Sequence, residues 1–178
     1  MTASQEKAIF EVLSKNGITM YTDLITETEP MSRLECMVPT YTKEDLERAF
    51  FDGEKTTVVP SQTTTVYRTS SSELTVEGAH GTLTFPQVEK GKGELSRGDA
   101  LKMAEEYMDG KEKIFGEFVS YDLLETEEGY CVVFYEKYDD TIVFSNYFRV
   151  FVSQAGIYQV QFVYCPVVGY NGEKKDIF

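Results

Sequence analysis

The sequence predicts an α+β fold made of two helix-plus-antiparallel-sheet modules, the C-terminal one a helix packed on a four-stranded antiparallel sheet. Three observations predict it. A capped helix over residues 96–108 is followed by apolar, aromatic-rich strands joined by tight turns, as far as residue 164. The first half follows the same crude plan, helix then strands, without a residue-level repeat. Aromatics make up 13% of the chain, with 12 Tyr and 12 Phe, a composition that suits a pleated surface. The modules are expected to span residues 1–88 and 94–178.

The first helix is expected over residues 3–15. Thr2 and Gln5 have the spacing of a capping box, and Ile9, Val12 and Leu13 form a narrow apolar stripe beside Ala8. Asn16 and Gly17 end it, because glycine accepts the left-handed backbone that a helix terminus often needs. Strands follow at 18–24 and 33–38, separated by a polar, acidic loop. Thr42 starts the next helix, with Asp45 three residues on as its acidic capping partner. Leu46, Ala49 and Phe50 share one face of it, and Asp52-Gly53 stops it. Short strands are expected at 56–59, 63–69, 74–78 and 82–85, with a turn at 78–81. The Thr- and Ser-rich stretch 61–72 is either an exposed edge hairpin or a mobile loop.

Residues 87–94 are polar, with Gly and Lys, and form the best candidate boundary. Ser96 then caps the third helix with Asp99 at the paired position. Ala100, Leu101, Ala104, Tyr107 and Met108 make its buried face, and Gly110 ends it. Strands are expected at 118–126, 130–138, 141–144 with a kinked continuation at 146–153, and 157–164. Phe148, Val150 and Val152 alternate, as do Tyr158, Val160, Phe162 and Tyr164. The helix covers one face of this sheet, since a lone sheet would leave both faces wet. The other face carries Tyr135, Tyr147 and Phe151, which either pack on the first half or meet a partner; these three are the candidate partner-binding residues.

Composition narrows the function. The chain has 178 residues, with 17 Lys and Arg against 30 Asp and Glu, a net charge of −13. Nucleic acids and anionic lipid surfaces are bound through Lys and Arg, so both are expected to be repelled. Cys36, Cys131 and Cys165 lie far apart in no CxxC spacing and read as small apolar groups, with Cys131 and Cys165 expected on nearby strands. The single His, His80, reads as a turn residue and would have to serve any Ser or Cys nucleophile. No zinc or calcium spacing, nucleotide loop or carboxylate pair stands out. No catalytic, cofactor or metal residue is therefore assigned, and the chain is read as a binding protein rather than an enzyme.

Several segments, taken in order, resemble the YycI family of extracytoplasmic regulators of a two-component sensor kinase in Gram-positive bacteria. The run from Glu11 to Ile18 (EVLSKNGI) resembles that family's first ectodomain helix and following strand, and Pro30-Met31 to Leu34 its post-strand stretch. Asp99-Ala100-Leu101 with Ala104-Glu105 resembles its C-terminal helix. Gly129-Tyr130, Tyr135, Tyr138, Phe144 and Arg149-Val150 to Gly156 resemble its terminal sheet, and Tyr164, Pro166, Gly169-Tyr170 and Gly172-Glu173-Lys174 its closing segment. The helix–sheet unit also resembles PepSY-type modules. The chain departs from the family by being shorter, most plainly between Phe51 and Gly93. The resemblance implies a non-enzymatic domain outside the membrane, held there by an N-terminal anchor helix that this chain lacks, which modulates a sensor histidine kinase or a YycH-like partner. The alternative is a small-ligand or peptide-binding module with an apolar pocket between sheet and helix.

Overall fold

Among the described residues, one antiparallel sheet of eight strands organises the fold, with helices on one of its faces. The computed structural model describes residues 33–171; the helix expected over 3–15 and the strand over 18–24 lie outside the described residues. In chain order the strands are β1 (Arg33–Cys36), β2 (Thr57–Pro60), β3 (Thr65–Arg68), β4 (Glu73–Glu77) and β5 (His80–Thr84), then β6 (Phe118–Thr126), β7 (Gly129–Tyr138), β8 (Thr141–Ser153), β9 (Gly156–Val163) and β10 (Val167–Asn171). The helices are α1 (Lys43–Phe50), α2 (Arg97–Met108) and the single turn α3 (Glu112–Phe115). The large sheet has the order β2-β3-β4-β5-β9-β8-β7-β6, and β1 pairs with β10 in a sheet of their own.

The α+β character matches the sequence expectation, and the arrangement of the strands corrects it. The strands of the two expected modules do not form separate sheets. Leu83 of β5 sits opposite Val160 of β9 and Gly81 opposite Phe162, so the ladder continues from the first-half strands into the second-half strands. The four strands foreseen under α2 are present as β6–β9, one half of the larger sheet. Local pattern could not reveal this join, because β5 and β9 are far apart in sequence and their pairing is set by packing. The route of the chain explains the order: after β5 it crosses through α2 and α3 to the far edge, then returns strand by strand until β9 lies against β5.

The core follows from the two-residue period of strands. Tyr67, Leu74, Leu83, Val160, Val150, Val132 and Leu123 stand in register across seven strands on the helix-covered face. In the adjoining row Phe162, Phe148 and Phe134 are opposite one another. Phe115 of α3 drops onto this row, with ring centroids 5.2 Å from Phe148, 5.7 Å from Phe162 and 5.5 Å from Phe50 of α1. Phe50 stacks on Phe162 at 5.2 Å. Each fully buried ring contributes about 1.5–3 kcal/mol through the water it excludes. The caps form as the sequence predicts: Asp45 donates its N–H to Thr42 Oγ1 and Asp99 to Ser96 Oγ, both at 3.1 Å. Ala100, Ala104 and Met108 bury the inner face of α2.

The expected boundary at 87–94 is not a free linker. Gly91 donates its N–H to the Glu128 carbonyl and accepts from the N–H of Gln154, and the Ser153 hydroxyl donates to the Glu89 carbonyl at 2.7 Å. The segment is a strap laid over the β6–β7 and β8–β9 turns. Gly93 is required there, because its φ is +51° and a Cβ would collide with the Gln154 side chain.

Glu47 ties α1 to the loop that follows it. Its buried carboxylate accepts the Thr56 N–H at 2.7 Å and the Thr56 hydroxyl at 3.0 Å, and pairs with Lys55 at 3.1 Å and Lys43 at 3.4 Å. These donors, the Thr56 amide foremost, hold its pKa down to about 2 from the ordinary 4.5. A lowered folded pKa means stability that is complete above 4.5 and lost as pH falls toward 2. We expect Glu47→Gln to remove most of the decline in unfolding free energy over that acid range. An unchanged acid profile in the variant would show that the carboxylate is not held by these donors.

Gly81 makes the join possible, since a Cβ there would lie 2.1 Å from the Phe162 ring. Gly81→Ala is expected to lower stability by about 1–3 kcal/mol through overpacking. The loss should shrink when Phe162 is also cut to Ala, because the two residues share one space. Strictly additive losses in urea unfolding would contradict the contact.

Candidate functional site

The sheet face opposite the helices is apolar at one end and polar along the rest. Pairing fixes its rows. Val66, Thr75, Thr82, Gln161, Arg149, Val133 and Asp122 form one. Tyr135, Tyr147 and Val163 form another, and Leu124, Cys131, Phe151 and Gln159 a third. From β4 to β8 the central row is hydroxyl, amide and guanidinium. Over β6–β8 the side chains turn aromatic.

The three residues singled out from sequence all stand on this face. Tyr135 and Tyr147 are cross-strand partners, while Phe151 lies four residues along β8 from Tyr147, with Arg149 between. Arg149 lies over the Tyr147 ring at 4.8 Å, and Phe151 packs on Tyr158 at 5.9 Å. All three are half-buried. Two residues that the sequence reading did not select are more exposed. Tyr121 is 55% exposed and Phe144 57%, and each packs edge-on against Tyr135, at 5.4 Å and 4.9 Å. Tyr121 and Phe144 also touch each other at 5.5 Å. The exposed cluster is thus Tyr121, Tyr135 and Phe144, continued by Tyr147 and by Leu124, which is 54% exposed.

Backbone irregularities put them there. In the β7–β8 ladder Tyr135 is opposite Tyr147, yet Glu136 is opposite Val143, so residues 144–146 have no partner on β7. The inserted residues bulge. Phe144 is thrown onto the outer face and Asn146 into the interior, where it is fully buried. A second shift, between Ser120 and Asp122, frees Tyr121. The only sequence signal for either was the break in alternation near residue 145.

Asn146 secures the bulge from inside. Its Nδ2 donates to Glu136 and, at 2.8 Å, to the Cys165 carbonyl, and its Oδ1 accepts the Cys165 N–H at 2.9 Å. Burial raises the Glu136 pKa, opposed by the Asn146 bond. A groove of about 630 Å³ lies between the end of α2 and β6. Its walls combine Met108, Phe118 and Phe134 with Glu105, Glu106, Asp109, Glu112 and Glu117. Lys111, also in the wall, is buried and donates to the Tyr107 carbonyl, capping α2; burial pushes its pKa down to about 8, while Asp52 and Asp109 pull upward. Among the described residues, no group of three or more His, Cys, Asp or Glu is placed to hold a metal ion. His80 is exposed at the start of β5, opposite Glu77. Cys131 is buried, facing Phe151.

These features define an α+β protein whose sheet carries helices on one face and, among the described residues, none on the other, which ends in an aromatic cluster. Compared with protein-family models, curated proteins and solved structures, the chain matches none.

A raised carboxyl pKa means that stability falls as pH rises through the folded value, because the ionised form is the less favoured one. Glu136→Gln keeps an acceptor for Asn146 and removes the charge. Its Tm at neutral pH should equal or exceed that of the parent and should vary less with pH above the acid range. A large drop in Tm at pH 7 would show that the ionised carboxylate is an essential partner of Asn146.

Proposed function

We propose that this chain is a non-enzymatic regulatory domain that binds, and biases, a membrane sensor histidine kinase or a YycH-like partner through the sheet face opposite its helices. The observation that carries the reading is the exposed Tyr121–Tyr135–Phe144 cluster. Aromatic anchors in a patch with a polar surround are the features that dominate protein–protein affinity, and a patch left open to water marks an interaction surface. The unit of α2 on β6–β9 accords with the PepSY-like module that the resemblance implies, here continued by β2–β5. Under this reading the domain works outside the membrane and acts by binding one kinase state more tightly than the other. The anchor belongs to the same reading; among the described residues no helix is long and apolar enough to cross a membrane.

The second reading, a ligand- or peptide-binding module, has the α2–β6 groove in its favour. Its wall is rich in carboxylates, so a cationic ligand would suit it better than an apolar one.

The reading is tested by crosslinked capture from membranes that contain the kinase. Phe144→Glu and Tyr121→Ser are expected to reduce kinase recovery at least tenfold while leaving Tm within about 2 °C, since surface changes of this kind alter stability little. Tyr147→Ala should act in the same direction more weakly. Undiminished recovery in both exposed variants would remove the face from the mechanism. A melting temperature raised by cationic peptides and lost on Glu112→Gln/Glu117→Gln would favour the groove.

A further inference from the structure

Among the described residues, β6 is the last strand on its side of the large sheet. An edge strand offers unpaired N–H and C=O groups, and proteins protect such edges with prolines, bulges or charges. The opposite edge strand, β2, carries Pro60. β6 is protected over its second part: its register shifts between Ser120 and Asp122, and Arg97 Nη2 donates to the Leu123 carbonyl at 3.1 Å. The first part has neither device. Lys137 donates its N–H to the Glu117 carbonyl, and Phe118, Val119 and Ser120 then stand opposite Glu136, Tyr135 and Phe134 in unbroken register. Pairs in an antiparallel ladder alternate between bonded and non-bonded. Glu117 and Val119 therefore bond inward to β7, and Phe118 and Ser120 turn their backbone groups to the open side.

This open part adjoins the groove at the end of α2, whose wall includes Phe118, Val119 and Ser120. The same wall holds five carboxylates, those of Glu105, Glu106, Asp109, Glu112 and Glu117, against the single ammonium of Lys111. Lys111 is already engaged by the Tyr107 carbonyl. Among the described residues, only Glu106 of the five has an ion pair, with Lys102 at 3.8 Å. The last turn of α2 contains no basic residue, so its carbonyl end adds to the negative potential.

We propose that β6 from Glu117 to Ser120 accepts an added strand, an extended peptide segment whose alternate Lys or Arg side chains enter the α2–β6 groove. The inference rests on the second reading above, in which the groove is a binding site, and adds how the ligand is held. Main-chain bonds to Phe118 and Ser120 fix the segment, and its side chains two residues apart meet the carboxylates. A second copy of this chain is disfavoured there, because it would set the same carboxylates against each other.

The test uses the full chain and a short synthetic peptide of alternating Lys and Thr, followed by calorimetry and amide hydrogen exchange. Binding should weaken with added salt, and the Phe118 and Ser120 amides should gain protection. N-methylation of one alternate set of peptide nitrogens should lower affinity about tenfold by removing main-chain bonds while keeping the charge; methylation of the other set should not. Ser120→Pro, which removes an open-side donor and spares the β6–β7 ladder, should weaken binding similarly. Ser120→Ala is its control, since the Ser120 hydroxyl donates to Glu105 at 3.1 Å. Binding that tolerates both methylated sets, or that a folded Ser120→Pro variant leaves unchanged, would overturn strand addition and leave the groove as a cation site. Absence of binding at low salt, or equal binding of a Glu–Thr peptide, would overturn the proposal and the groove reading together. A dimer of the free chain that Ser120→Pro dissociates would place a second copy on the edge and also overturn the proposal.

Discussion

The ladder between β5 and β9 is the constraint on which the remaining architecture rests. It joins strands from opposite halves of the chain into one sheet, and it admits Phe162 only because Gly81 presents no side chain to the ring. Phe162 in turn is the surface on which Phe50 stacks and against which Phe115 and Phe148 pack. α1 and α3 therefore seat on a platform that exists only once the two halves have met. Such a non-local contact is costly in loop entropy and sets in late, so the core should form as one cooperative event rather than module by module.

Covering one face commits the other. The chain places its strongest apolar rows against the helices and gives the reverse of β4, β5 and β9 hydroxyls and amides. Over β6–β8 that rule is broken by two local shifts in register, and the break is where Tyr121 and Phe144 emerge. The interior side of the same irregularity is polar, with Asn146 bonded to Glu136 and to both backbone groups of Cys165. A bulge held open by a buried amide is the physical device that presents the aromatic cluster, and its cost is met inside by hydrogen bonds.

Much of this was legible one element at a time. Thr42 with Asp45 and Ser96 with Asp99 announce helix starts through hydroxyls that accept amide protons of the first turn. Phe148, Val150 and Val152 announce a strand through their spacing, and Tyr135, Tyr147 and Phe151 are correctly assigned to the face away from the helices. The full cluster was not legible. Tyr121 and Phe144 sit at positions where strict alternation fails, and a single inserted residue reverses which face a side chain meets. The strap at 87–94 was equally hidden, because its polar composition is that of a linker while its hydrogen bonds go to turns far along the chain.

The sequence by itself determined the α+β class, the two capped helices and the approximate extents of β1–β9, because caps, turns and alternation act over a few residues; α3 and β10 carry no such local signal. Only the tertiary structure decided that two sets of strands make one sheet, that Gly81 yields to Phe162, and which aromatics remain in water. Those outcomes depend on packing and register between segments distant in the chain, and no local pattern encodes the distance between them.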